Sequence, residues 1–432
     1  MQSQEPRDKS QRPGLRRPIF VRVTGAGAGG IAALVLDGVG ARMLLQLRFQ
    51  AKRLLAEATT GDLLFGQFVD EHGGSIDEVV AAPLAREDSE TGNEQVELSC
   101  HGGVGVLAAV EEALLAAGFA RGQPRDLLRR AHLNATLPLV TIEARLCLAA
   151  AATARQAAFL LSHARFQEHW ERLGFNMVLA TRNHDESWRG KLFQEANTAL
   201  EQFRAAQRLL AQHRVALTGP VNAGKSTLGN RLARAERHIV SPAPGTTVDH
   251  LETPIELCGL NVLLADTAGL RTALDSVESE GQKRAAEAAR EADLRLLIFD
   301  GSQPPGDADV ELIARTTACG PTLLVLNKQD LGVDESAGGL GFLAGREPLV
   351  VSAKTGWGLD KLLDAIAGTL LDGQEPPAGA PFTQRQANLL RQLKHGLQEG
   401  QTVSELVQYV RTLVGTRPDE AELSEVLKAP GS

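Results

Sequence analysis

The stretch Gly219-Pro-Val-Asn-Ala-Gly-Lys-Ser226 matches the pattern G-x-x-x-x-G-K-S and stands between the apolar run Val215-Ala216-Leu217 and a segment of helical spacing. That context constrains the chain to strand, tight loop and helix. Glycines at both ends let backbone N–H groups turn inward, and the first turn of the helix adds donors that have no partner within it. Such a loop cradles a polyphosphate. Asn222, Ala223, Gly224, Lys225, Ser226 and Thr227 are its expected contact residues, with Lys225 reaching the β and γ phosphates and the Ser226 hydroxyl facing Mg²⁺. The pattern predicts binding of a nucleoside triphosphate.

Three further motifs follow in an order that narrows the ligand. Asp266-Thr-Ala-Gly269 comes after the apolar run Val262 to Ala265, which puts Asp266 at a strand's carboxyl end, within reach of Mg²⁺, and turns the Gly269 N–H toward the γ phosphate. Asn327-Lys328-Gln-Asp330 ends the run Leu323 to Leu326. Guanine presents N1–H and N2–H₂ side by side, so the Asp330 carboxylate accepts both, whereas adenine leaves it unpaired. A site built on such a pair rejects the analogue by about 10⁴ or more. Ser352, Ala353 and Lys354, after Leu349-Val350-Val351, complete the expected base pocket. GTP is the expected ligand. Between the phosphate loop and Asp266, Pro244-Gly-Thr-Thr-Val-Asp249 offers Thr246 or Thr247 to Mg²⁺, or a plain solvated turn. Leu270 occupies the place where a Ras-type GTPase carries its water-orienting glutamine, so hydrolysis needs another group and an added charge.

The 432 residues exceed what one hydrophobic core serves, so two or three domains are expected. A formal charge of −8 argues against a generally basic, nucleic-acid-coating surface. Cys100, Cys147, Cys258 and Cys319 lie far apart without a C-x-x-C pair, which suggests neither a disulfide framework nor a zinc site and fits a reducing cytoplasm. No stretch reads as a membrane span or a secretory leader.

Residues 1–18 read as a disordered tail; 19–137 as a small α/β or α+β domain; 138–212 as helical, nearly unbroken apart from 183–186. Residues 213–371 alternate apolar strands with amphipathic helices, the pattern of a mostly parallel, doubly wound α/β sheet. A linker at 372–381 precedes a second helical part at 382–432, so the nucleotide domain is expected to be inserted in an all-α domain. Gly25, Gly27 and Gly30 satisfy G-x-G-x-x-G, but Ile31 to Leu36 looks as much like strand as helix and Asp37 comes too early for a ribose-binding acid. A tight turn is the preferred reading.

Taken together, the motifs resemble the tRNA modification GTPase family MnmE (TrmE). Gly-Pro-Val-Asn-Ala-Gly-Lys-Ser, Gly-Thr-Thr-x-Asp and Asp-Thr-Ala-Gly-Leu-Arg271 are close to that family's forms. Upstream, Phe68-Val-Asp-Glu, Thr91-Gly, Val96-Glu97-Leu98-Ser-Cys-His101-Gly-Gly103 and Leu133-Asn134 look like its N-terminal domain. The resemblance implies a folate-binding and dimerising N-terminal domain, a central helical domain and an inserted P-loop GTPase. It implies a homodimer, a partner flavoprotein, MnmG (GidA), and action on the wobble uridine of tRNA. K⁺ held by Asn222 would pair two nucleotide domains, and Glu278 stands at the spacing of the residue that places water.

The departures cluster on the folate side. Val35 stands where the family has a folate-contacting Arg, and Thr136 where it has a Lys; Glu97 alone matches. The residues close on Lys428-Ala-Pro-Gly-Ser432 where the family has Cys-Ile-Gly-Lys, and Val248 replaces an Arg in Gly-Thr-Thr-Arg-Asp. The expected outcome is intact GTP chemistry with Mg²⁺ and K⁺ beside a weakened 5-formyl-tetrahydrofolate pocket. The alternative expectation is a divergent paralogue, a GTP-dependent switch whose folate site no longer works.

Overall fold

The computed structural model describes residues 17–25, 29–183, 185–235, 252–266, 290–334, 347–416 and 419–428. The chain divides into two compact units, Met1–Leu146 with Val410–Ser432, and Cys147–Tyr409.

The first unit is built on strands β1 (Ile19–Arg22), β2 (Ile31–Asp37), β3 (Phe49–Ala51), β4 (Leu64–Val69), β5 (Ser75–Leu84), β6 (Gln95–His101) and β7 (Ala120–Arg121). They lie in the order β3-β4-β5-β6-β2-β1-β7, with every neighbour antiparallel except β1 and β7. Alternation along β2 sends Ala32, Leu34 and Leu36 into the core and Ala33 and Val35 to the opposite face. Helices α1 (Ala41–Gln46) and α2 (Val104–Ala116) cover the apolar face through Leu45, Leu107, Val110 and Leu114. An antiparallel sheet with helices on one side is an α+β domain.

Because β2 is a strand paired antiparallel with β1, the glycine pattern at 25–30 lacks the helix a dinucleotide site requires; residues 26–28 lie outside the described set. Asp37 has a structural partner instead. Fully buried, it accepts hydrogen bonds from Arg130 Nη1 at 2.7 Å, Gln95 Nε2 at 3.0 Å, Asn93 Nδ2 at 3.1 Å and the Thr91 hydroxyl. Arg130 belongs to α3 (Pro124–Leu133), which α4 (Leu139–Ala149) follows.

In the second unit, α5 (Ala154–Leu161), α6 (His163–Arg182) and α7 (Trp188–Leu210) make up the helical stretch. It is more broken than its composition suggests. Thr153 Oγ1 accepts from Gln156 N at 3.2 Å and starts α5 anew, and Ser162 separates α5 from α6.

The nucleotide-type sheet then runs through β8 (Gln212–Thr218), α8 (Lys225–Ala235), β9 (Glu252–Leu257), β10 (Leu260–Asp266), β11 (Leu294–Asp300), α9 (Asp307–Thr317), β12 (Thr322–Asn327), β13 (Leu349–Val350) and α10 (Leu359–Leu370). The order is β13-β12-β11-β8-β10-β9, and only β9 runs against its neighbour. Leu294 to Phe299 are buried without alternation, as expected of a central parallel strand covered on both faces. A parallel sheet gathers the carboxyl ends of its strands at one edge. After α11 (Gln384–Gln398) come α12 (Val403–Val414) and α13 (Glu420–Val426), and Leu423 and Val426 of α13 join the Leu133, Leu139 and Ile142 core of the first unit. None of the described helices is long and apolar enough to cross a membrane.

Candidate nucleotide-binding site

The register of the parallel strands sets the site. Asp266 pairs with Leu217 across β10 and β8, and Asp300 pairs with Asn327 across β11 and β12. Asp266, Gly219, Asp300 and Asn327 therefore stand at the same edge, where ligands bind in open α/β sheets. Chain reversal at Gly219 takes it to φ +137°, and a Cβ there would overlap the Ile298 carbonyl. Gly224, at φ +89°, has no room either: a Cβ would overlap Asn327 Nδ2. Asn222 adopts the left-handed region at φ 64°, which asparagine tolerates better than most residues.

Lys225 opens α8 and is largely buried, with Nζ donating to Gly219 O at 3.0 Å and Pro220 O at 2.6 Å. Its ammonium is thus held across the loop mouth. No acidic residue occupies the first turn of α8, so nothing there opposes an anion at that helix start. Buried Leu228 and Leu232 fix α8 on the sheet.

Asn327 links the two halves of the site. Only 2% exposed, it donates from Nδ2 to Ala223 O at 3.0 Å in the phosphate loop and accepts at Oδ1 from Ala353 N at 2.9 Å in the base loop. Both functions of one amide are spent on joining segments 130 residues apart (353 minus 223). Asp330 is oriented in turn: Ser352 Oγ donates to Oδ1 at 2.7 Å, and Lys354 Nζ lies 3.9 Å from Oδ2. One carboxylate oxygen is pinned and the other faces an exposed lysine.

Lys328 holds φ 67° and donates from Nζ to Asp300 Oδ2 at 2.7 Å, while the Ser302 hydroxyl donates to Asp300 Oδ1 at 2.6 Å. Burial alone would raise the Asp300 pKa, but the hydrogen bonds from Lys328 and Ser302 outweigh it and leave the carboxyl below its ordinary value. Asp300 was not singled out from the sequence. The signal was available: it ends an apolar run just as Asp266 and Asn327 do.

Asn222, Ala223, Gly224, Lys225, Ser226 and Thr227 are thus brought together with Asn327, Lys328, Asp330, Ser352, Ala353 and Lys354. Asp266 shares the edge by its backbone position. Thr246, Thr247, Gly269 and Glu278 lie outside the described residues. Among the described residues no cluster of three or more His, Cys, Asp or Glu groups suits a metal ion. By residue type, Ser226 and the strand-end Asp266 would offer a cation hydroxyl and carboxylate oxygens, donors that suit Mg²⁺ rather than a soft metal.

Glu97 lies on the face of the seven-stranded sheet opposite α1 and α2. It is exposed, and its register partners are Val35 on β2 and Ala82 on β5. Neither neighbour carries a charge. The Thr136 hydroxyl is spent on the Glu90 and Ala131 carbonyls, and Glu90 is itself gripped by Arg145 through two hydrogen bonds of 2.7 Å that hold its pKa below the ordinary range. His101, 68% exposed, pairs through Nδ1 with Asp77 Oδ1 at 2.6 Å. Burial, helped by the Asp77 charge, pushes the Cys100 thiol up to about 11, so it stays protonated at neutral pH.

A phosphate loop, an Asn-Lys-x-Asp strand end and a base loop on one parallel-sheet edge define a P-loop GTPase. Residues 214–328 match the family model of the 50S ribosome-binding GTPase, and residues 18–136 match that of the GTP-binding protein TrmE N-terminus. The tRNA modification GTPase MnmE of Chloroflexus aurantiacus is 36% identical over 376 residues, 83% of this chain and 82% of that protein. Those of Symbiobacterium thermophilum and Thermus thermophilus are each 33% identical, over 88% of both chains in the first case and over 90% of this chain and 91% of that protein in the second. The chain belongs to the MnmE family. It is a GTP-binding and GTP-hydrolysing protein whose chain comprises a small α+β N-terminal domain, helical segments and a P-loop domain.

Proposed function

We propose that this chain hydrolyses GTP in the service of tRNA modification, as the names of its relatives state for them. In this reading GTP lies along the carboxyl edge with its phosphates on Asn222 to Thr227 and its guanine on Asn327, Lys328, Asp330 and Ser352 to Lys354. Ser226, Thr247 and Asp266 hold Mg²⁺. The ion supplies charge neutralisation at the phosphates; the chain's own residues orient the nucleotide and exclude the wrong base. Asn222 holds K⁺, Glu278 places water, and Gly269 and Thr246 contact the phosphates. The homodimer, the partner flavoprotein MnmG (GidA), the wobble uridine substrate and a cytoplasmic setting complete the proposal. So does a division at 19–137, 138–212, 213–371 and 382–432.

The observation that carries it is the Asn327 amide, which binds Ala223 and Ala353 at once and so makes phosphate loop and base loop one assembly. Steady-state hydrolysis in matched K⁺ and Na⁺ salts tests the cation assignment. Faster turnover in K⁺ is expected, and its loss in Asn222→Ala; equal rates in the two salts remove the role given to Asn222.

A second reading, a GTP-dependent switch without folate chemistry, is favoured by Val35 and Ala82 flanking Glu97 and by the committed Thr136 hydroxyl. A folate's glutamate carboxylates need cations, and these positions supply none. Complementation of cells lacking the full-length relative, scored by wobble-uridine analysis, separates the two: restored modification supports the first, and unmodified tRNA with GTP hydrolysis intact supports the second.

A further inference from the structure

The base loop is tied to α8 by a residue that none of the nucleotide motifs contains. Arg231 lies one turn beyond Thr227 on the same helical face. From this half-buried position its Nη2 donates to Thr355 O at 2.9 Å. Residues 352–357 form a tight turn of their own: Ser352 N donates to Trp357 O at 2.9 Å, Gly356 N to Ser352 O at 2.8 Å and Thr355 N to Ser352 Oγ at 3.1 Å. Gly356 sits at φ +92°, and a Cβ there would come within 2.5 Å of Arg231 Nη2. The turn is shaped to admit the guanidinium.

The consequence is a chain of contacts from phosphate helix to base acceptor. Arg231 holds Thr355 O; Thr355 N holds Ser352 Oγ; Ser352 Oγ holds Asp330 Oδ1. On the other side, Asn327 joins Ala223 to Ala353. We propose that Arg231 is a positioning residue for guanine selection, a brace that fixes the Ser352–Gly356 turn on α8 so that Asp330 keeps the orientation needed to read the base. The inference rests on the assignment of Asp330 and the Ser352 to Lys354 segment as the guanine site. It adds a residue that touches neither base nor phosphate.

The test compares Arg231→Met, which keeps the aliphatic stem and removes the donor, with Arg231→Lys, which keeps a donor. Two quantities are read on the full chain: release of a fluorescent GDP analogue, and the ratio of GTP to ITP affinity, since inosine lacks the 2-amino group. A hydrogen bond from a charged donor sets the scale, so release about tenfold faster and a GTP-over-ITP ratio reduced about fivefold are expected for Met, with Lys within about threefold of the parent. A Met variant with parental release and ratio overturns the proposal. So does one that weakens GTP and ITP equally, because a merely structural role predicts that, and so does a Lys variant no better than Met. Asp330→Asn, measured alongside, separates the failures: if it leaves the ratio unmoved, the guanine-site reading itself falls, whereas if it moves the ratio and Arg231→Met does not, the brace alone falls.

Discussion

The carboxyl edge of the six-stranded sheet and the outer face of the seven-stranded sheet carry polar groups to opposite effect. At the first, the side chains of the base-reading segment are held by others: Asn327 by two loops, Asp330 by Ser352, Lys328 by Asp300. At the second, Glu97 stands exposed between Val35 and Ala82, and the hydroxyl of Thr136, in the loop after α3, is engaged by the Glu90 and Ala131 carbonyls. Preorganised donors and acceptors cost nothing further to orient when a ligand arrives, whereas a lone exposed carboxylate offers a charge without a shape. The difference teaches that a motif can survive in letters after its partners are gone, and that the partners decide whether it binds.

The sharpest way to break the comparison is at Asp330. Asp330→Asn replaces a double acceptor by an amide, so GTP affinity is expected to fall by about 10² or more while XTP, which offers an acceptor at C2, binds better. Competition binding of both nucleotides checks this, and an unmoved GTP preference would break the guanine assignment. Next in size is Asn327→Ala. It leaves the Ala223 carbonyl and the Ala353 N–H without the amide that bridges them in a buried site, a cost borne by free and bound protein alike that reaches binding only in part, so GDP affinity should drop roughly 10- to 100-fold, about 1.4–2.7 kcal/mol. Urea unfolding with and without GDP separates lost binding from lost stability.

On the other face, titration with 5-formyl-tetrahydrofolate should show no saturable binding below about 1 mM, an affinity weaker than about 4 kcal/mol. Val35→Arg with Thr136→Lys, which returns cations beside Glu97 and near Glu90, is expected to bring measurable binding. Tight binding by the parent chain would show that the outer face is still a site.

The smallest effect concerns Asp300. Its pKa is lowered in the folded state, so the stabilisation it gives is present above the ordinary aspartate range and disappears as pH falls through the depressed value. Solvent screening keeps that contribution well under about 1 kcal/mol. Asp300→Asn should therefore flatten the acid limb of the stability profile slightly without changing stability at pH 7 by more than that amount.

Much of the nucleotide edge was legible because each of its parts is local. A strand end followed by a fixed tetrapeptide puts Asn327 and Asp330 where they are, and glycines at 219 and 224 announce a backbone that no side chain fits. What was not legible depends on pairing across long separations. Asp37 and Arg130 are 93 residues apart and meet only because β2 and α3 pack in one unit. Arg231 and Thr355 are 124 apart, and the arginine reads in sequence as an ordinary exposed helix cation. The strands β3, β4 and β5 were also invisible as a meander, since exposed Leu63 and Phe65 blur the alternation expected of a half-buried sheet.

The most direct test of the whole account is a competition titration of the full chain with GTP and ATP in the presence of Mg²⁺. GTP held about 10⁴-fold more tightly or better is the predicted result, an estimate that follows from one carboxylate reading two adjacent donors. ATP held as firmly as GTP, or neither nucleotide held, would contradict it.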